Sequence, residues 1–346
     1  VYQALSMPVI GHMDPRFIAL MDELKARLRE LLDTDNQLTI PLSGTGSSGM
    51  ETCYVNLIEE GDPVLICING VFGLRQKDMA QRLGAQVDTV ASEWGAPIEP
   101  AAIAEKLEHK AYRLVAVVHA ETSTGVRNPV EEIGAMVNQT DTLLLVDAVT
   151  SLGGMPVSMD SWHIDALFSG AQKCLSCPPG LAPLSMSPRA LDRLRNRSRP
   201  APSWYFDLNM ITKYWEGAKR VYHHTAPVSM IYALHAALAE IHQEGVETVF
   251  ARHHRCHRQL VAGLEGLGLS MLVDQRYRLP MLNAVLVPEG VDEAGVRSRL
   301  LGEYDIEIGA GLGPLAGKIW RIGLMGHTAR EENVERLLEA LRVILR

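Results

Sequence analysis

Three stretches of this 346-residue chain carry residue types at spacings that could do chemistry. The first is S-G-T-G-S-S-G-M (43–50), where Gly44, Gly46 and Gly49 lie between an apolar run and a helical pattern. At such a strand-to-helix turn the free N–H groups and the helix dipole can hold a phosphate. A dinucleotide site would also need an acid about 20 positions on, closing the next strand. Asn69 stands there, so the stretch reads as a phosphate cradle and not as a nicotinamide site. The second is Asp147, which ends the run LLLVD, at the strand end where open α/β sheets bind ligands. Buried there, it needs a cationic partner. The third is Lys173 in F-S-G-A-Q-K-C-L-S-C-P-P-G, between a short apolar strand and a Cys/Pro/Gly turn. An amine in such surroundings loses pKa and can attack a carbonyl. Each feature alone has a plain alternative: a ligand-free turn, a helix cap or structural ion pair, and a surface lysine. Together, in that order, they are what pyridoxal phosphate (PLP) requires: a phosphate cradle, a carboxylate for the pyridine nitrogen, and a lysine for the aldehyde.

The surrounding pattern supplies elements to position them. Residues 14–33 predict a helix, with Asp14 as cap and Pro15 in the first turn. Strands are expected at 38–43, 63–69, 114–120, 142–149, 165–170 and 181–186, with helices after the first, second and third of them. Continuous apolar strands separated by helices indicate a mostly parallel sheet covered on both faces. A helical stretch, 227–266, interrupts the rhythm. Strands follow in LSMLVD, MLNAVLVP, DIEIG and KIWRIGLMG, with helices near 292–304 and 330–345. The expected organisation is a large α/β domain over 1–245 and a smaller α+β domain over 246–346.

Composition narrows the class. Hydrophobic residues at 47% and charged residues at 21% suit a globular chain with a sizeable core. A net charge of −8 argues against a general nucleic-acid or membrane-surface binder. No apolar run approaches the ~18 residues of a membrane span, and no secretory leader is evident. Five cysteines, mostly in apolar stretches, read as reduced thiols. Cys174 and Cys177 form C-x-x-C without a second pair at metal spacing, so they are expected to shape the turn after Lys173. His253, His254 and His257 lack the Glu of a zinc-protease motif and are read as a solvated helix face.

Eight stretches then carry a resemblance: PVIGHMDPRF, SGTGSSGMET, NGVFGLR, ETSTGV, LLLVDAVTSLGG, SGAQKCLSCPPG, YHHTAP and KIWRIGLMG, spread from residue 8 to 326. The chain resembles class V aminotransferases of fold type I, in the alanine–glyoxylate and serine–glyoxylate group. The resemblance implies a catalytic Lys173 joined to the PLP aldehyde and moving the proton, with Asp147 on the ring nitrogen. It implies Val149 and Phe72 on the two ring faces. Thr45, Gly46, Ser47 and Gln172 are implied around the phosphate, with Ser123 as a further polar contact. Tyr222 and Thr225 would reach the phosphate from the neighbouring subunit, which implies a homodimer with shared sites. Arg321 would clamp the substrate carboxylate, as its two-pronged donors suit.

The expected reaction is ping-pong transfer of an amino group from alanine or serine to glyoxylate. The nearest alternatives are an aminophosphonate transaminase or a PLP lyase. Relatives usually carry a Gly/Pro-rich segment upstream of PVIGH, and this chain begins at Val1, inside or just after that region. The carboxyl terminus lacks an S-K-L-like tail, which makes the cytoplasm the expected compartment.

Overall fold

The computed structural model describes residues 1–217 and 220–346. The chain opens with a short helix, Tyr2–Leu5 (α1), and then the long helix Pro15–Leu32 (α2). The Asp14 side chain accepts from the Arg16 N–H and Pro15 occupies the first turn, as the sequence predicts. Strands and helices then alternate: Leu38–Ser43 (β1), Gly46–Leu57 (α3), Pro63–Ile68 (β2), Val71–Arg82 (α4), Gln86–Ala91 (β3), Pro100–His109 (α5) and Leu114–Val118 (β4). A two-residue ladder, Ala120–Glu121 (β5) with Val126–Arg127 (β6), precedes Val130–Val137 (α6) and Leu143–Asp147 (β7). Ala166–Phe168 (β8) and Leu181–Met186 (β9) complete the large sheet.

Its strand order is β1-β9-β8-β7-β4-β2-β3, and β9 is the one strand that runs against the rest. The six co-directional strands therefore end at one edge. The turns that leave that edge carry Thr45, Phe72, Asp147 and Lys173. The central strands β4 and β7 are buried at every position, which matches their unbroken Leu/Val runs. Strand β3 escapes the sequence reading because it is the sheet's edge: Gln86 and Ala91 are exposed and no continuous apolar run marks it.

Helices Pro188–Arg195 (α7), Leu208–Trp215 (α8), Val228–Glu244 (α9) and Val246–Gly266 (α10) follow. The helical stretch expected over 227–266 consists of these last two helices, divided at Gly245 with φ of 89°. Beyond it lie Leu282–Leu286 (β10), Glu293–Tyr304 (α11), Gly309–Ala310 (β11), Ile319–Gly323 (β12) and Glu331–Ile344 (α12). They form a three-stranded antiparallel sheet, β10-β12-β11, with α10, α11 and α12 beside it. LSMLVD is not a strand; it contributes only a bridge from Met271 to Val285. DIEIG supplies the two residues of β11 and is otherwise irregular.

One hydrophobic core gathers residues from Phe17 to Val249, and a second gathers residues from Cys256 to Leu341. A small third cluster, Ala120, Met155, Cys174, Leu279, Met281 and Leu282, joins the lysine-bearing turn to the strand β10 region. Among the described residues no helix is long and apolar enough to cross a membrane.

Candidate active site

The cradle begins where β1 stops. Gly44 adopts φ of 137°, a conformation disfavoured for side-chain-bearing residues, and its N–H donates to the Gly180 carbonyl at 2.9 Å. That bond ties the end of β1 to the loop that follows Lys173. Helix α3 then starts at Gly46. Ser48 and Gly49 give their N–H groups to the Thr45 carbonyl, and the Ser48 hydroxyl donates to the same oxygen. The Thr45 side chain makes no capping bond, so its hydroxyl and the first N–H groups of the helix remain for a ligand. Gly46 lets this turn approach the opposite wall, since a Cβ there would lie 3.0 Å from the Val149 side chain.

Thr45, Gly46, Ser47, Phe72, Asp147, Val149, Gln172 and Lys173 all line a single cavity of about 250 Å³. Asp147 is buried, and its Oδ1 accepts the Val149 N–H at 2.9 Å. Burial pushes its carboxyl up to about 7, against that hydrogen bond; nearby Glu121 pushes the same way. A carboxylate so placed calls for a cation in the cavity. Lys173 is half-buried, and desolvation lowers its ammonium below the ordinary lysine value, with the Arg321 charge adding to the effect. An amine with reduced proton affinity is what attack on an aldehyde needs.

The turn around Lys173 is fixed by backbone bonds from Ser176 to Lys173 and from Cys177 to Ala171. Cys174 and Cys177 are buried, their thiols pushed up to about 12 by burial, and Cys174 donates to the Thr150 carbonyl. They shape the turn, as expected from the sequence.

Ser123 does not reach the cavity. Its N–H and hydroxyl both donate to the buried Glu121 carboxylate, and its Oγ accepts the Val71 N–H. The neighbouring residue Thr122 lines the cavity instead. Glu121 also accepts the N–H groups of Phe72 and Gly73. Glu121 and Ser123 together thus cap the first turn of α4 and hold Phe72 at the cavity wall. Gly73 presses against strand β2, where an added Cβ would meet the Cys67 carbonyl at 2.7 Å and the Ile68 Cα at 3.0 Å. Both obstacles are backbone. Gly73→Ala is therefore expected to cost about 1–3 kcal/mol of stability and to displace Phe72. A thermal melt equal to that of the unaltered chain would refute this.

Arg321 lies on β12, half-buried, donating from Nε to the Ala310 carbonyl at 2.7 Å and from Nη1 to the Thr122 carbonyl at 3.2 Å. A guanidinium has five N–H donors, so these two bonds orient it and leave capacity for a carboxylate. Tyr222 and Thr225 lie outside the cavity in this chain. Thr225 lines a separate hollow with Val9 and His12, and Tyr222 is exposed beside the His12 ring.

Sequence reasoning missed Met50, Arg75, Val118, Ala120 and Thr150 in the lining. Arg75 was visible in NGVFGLR, but nothing in the spacing separates it from a solvated helix residue. The histidine-rich face of α10 also differs from expectation. His253 is fully buried, bonded through Nδ1 to the Val249 carbonyl and through Nε2 to the Gly326 N–H; His257 bonds to Asn283. Only His254 of the three is exposed. The His253 bond ties α10 to the turn that rests on Cys174.

The profile described as "Aminotransferase class-V" matches residues 2–337. Alanine–glyoxylate aminotransferase of Drosophila melanogaster is 40% identical over 345 residues, 99% of this chain and 88% of that protein. (S)-Ureidoglycine–glyoxylate transaminase of Bacillus subtilis is 39% identical over 100% of this chain and 87% of its own length. The solved structure of alanine–glyoxylate aminotransferase from Nostoc sp. superposes with a TM-score of 0.98 at 48% identity, covering 100% of this chain and 91% of that one. A phosphate cradle, a buried carboxylate and a desolvated lysine at one sheet edge agree with these likenesses, and the chain belongs to the class V aminotransferases, PLP-dependent transaminases of fold type I.

Proposed function

We propose that this enzyme transfers the amino group of a small amino acid, alanine or serine, to glyoxylate, yielding pyruvate or hydroxypyruvate and glycine. The observation that carries the reading is the cavity in which Lys173, Asp147 and the Thr45–Ser47 turn converge, in a chain about 40% identical to alanine–glyoxylate aminotransferase over nearly its whole length. The residues fit PLP. The turn offers N–H and O–H donors to a phosphate, Asp147 awaits a cation, Val149 and Phe72 offer apolar surfaces, and Lys173 offers an amine of lowered pKa. PLP would supply the electron sink that makes the amino acid Cα–H acidic. Lys173, in a fixed turn, is placed to accept and return that proton, and Arg321 to hold the substrate carboxylate.

The donor is the finer question, because (S)-ureidoglycine is named for a relative of equal similarity. An aminophosphonate donor, or a lyase reaction on the same cofactor, is a more distant alternative. The test is the visible spectrum of PLP-loaded enzyme under alternating additions. Alanine or serine is expected to bleach the band and glyoxylate to restore it, with glycine formed. A band that ignores both amino acids but responds to (S)-ureidoglycine would replace the donor in this reading.

The same proposal makes the working unit a homodimer in which Tyr222 and Thr225 reach the neighbouring site. Supporting it, Tyr222 is 57% exposed, its chain neighbour Val221 is exposed too, and the exposed Trp204 stacks on the ring of the next residue, His223. Residues 1–245 form the cofactor-holding unit and 246–346 the smaller one, a division supported by the two separate cores and the break at Gly245. We assign the enzyme to the cytoplasm, consistent with five buried, unpaired cysteines.

A further inference from the structure

We propose that Arg75 is the charged member of the phosphate cradle, the cation that sets how tightly the cofactor's anionic end is held. The inference rests on the PLP reading above and concerns a residue that ends the NGVFGLR stretch but was not among the implied site residues. Arg75 lies one turn into α4 and lines the cavity. Its guanidinium stands 5.1 Å from the Phe72 ring centroid, and its Nη1 donates to the Ser47 hydroxyl at 3.4 Å. It therefore bridges the first turns of α3 and α4, the two helices that form this wall of the site.

The other cradle groups on α3 are N–H and O–H dipoles without full charge. Lys173 is the other cation in the lining, and its amine is needed for the aldehyde. Arg75 belongs to no ion pair among the described residues, whereas Arg82, two turns along the same helix, is paired with Asp78. An arginine held over an aromatic ring, beside a helix start and without a carboxylate, is arranged for an incoming anion. Its field also acts on Asp147, opposing the effect of burial there.

The experiment is titration of cofactor-free enzyme with PLP, following the visible band, for the unaltered chain, Arg75→Gln and Arg75→Lys. The same titrations are run with pyridoxal, which has the aldehyde but no phosphate. Far-UV circular dichroism checks that the exposed substitutions leave the fold intact. For PLP, Kd is expected to rise roughly 10–100-fold in Arg75→Gln, the range of a hydrogen bond to a charged group, with Arg75→Lys between. For pyridoxal, Kd is expected to stay within about twofold. A PLP Kd unchanged in Arg75→Gln overturns the inference. So does an equal loss for PLP and pyridoxal, which would make Arg75 a support for Phe72 alone. If the unaltered chain forms no Lys173-dependent band, the PLP reading itself fails, and this inference fails with it.

Discussion

Lys173→Ala is expected to lose the visible band of lysine-bound cofactor and to slow transamination by about 10⁴-fold or more. General acid–base catalysis alone contributes roughly 10²–10⁴-fold, and this variant loses the covalent attachment as well. The chain has no obvious stand-in: Arg321 remains protonated at any working pH, and the neighbouring Cys174 and Cys177 are buried thiols held in their protonated form. Folding should not suffer. Burial lowers the Lys173 pKa below its value in the unfolded chain, so the folded state pays for holding that ammonium. Below the folded-state pKa the charge is present in both states and the penalty is at its full size. Removing the amine at neutral pH should leave the melting temperature of the cofactor-free chain unchanged or slightly raised. A variant that keeps the band, or turns over at a rate near that of the unaltered enzyme, would remove Lys173 from its role. A strongly lowered melting temperature would show that the lysine is structural.

The parts of this site that were legible in the sequence are those where a residue type conflicts with its surroundings. A carboxylate ending LLLVD, a lysine after an apolar strand, an arginine inside KIWRIGLMG and three glycines at a strand-to-helix turn each contrast with the runs around them, and it is their combination that points to chemistry. The structure places Asp147, Lys173 and, of the three glycines, Gly46 around one cavity, with Arg321 close enough to act on Lys173. The choice between Thr122 and Ser123 was not legible. Both are small hydroxyls in one turn, and only the three-dimensional placement of Glu121 turns Ser123 away from the cavity. His253 was misread for a related reason. A polar residue on a polar helix face looks solvated until a loop distant in sequence, here at Gly326, covers it. Strand β3 was missed because an edge strand needs no apolar run. Local pattern specifies elements; the partners that bury or expose a given side chain come from elsewhere in the chain.

Asp147→Asn should separate function from stability, with opposite signs. Loss of the charge opposite the cofactor ring is expected to cost roughly 10²–10³-fold in turnover, the scale of one preorganised electrostatic group. In the cofactor-free chain the same change should stabilise the fold at pH 8. The folded carboxyl titrates at about 7, against 3.8 for the free group. Between those values the folded chain keeps a proton that the unfolded chain has released, so stability falls as pH rises through that window. Above pH 7 the chain buries an ionised carboxylate whose one hydrogen bond comes from the Val149 N–H. At 1.36 kcal/mol per pKa unit, the penalty is on the order of a few kcal/mol. Asparagine can still accept from Val149 and carries no charge, so it avoids that penalty. Thermal melts of cofactor-free protein should show Asp147→Asn above the unaltered chain at pH 8, with the gap closing toward pH 4. Adding PLP should reverse the order at pH 8, because a cation on the ring nitrogen would pair with aspartate and not with asparagine. A cofactor-free variant that melts below the unaltered chain at pH 8 would mean that Asp147 already has its counter-charge within the protein, and the carboxylate would no longer mark the cofactor's place.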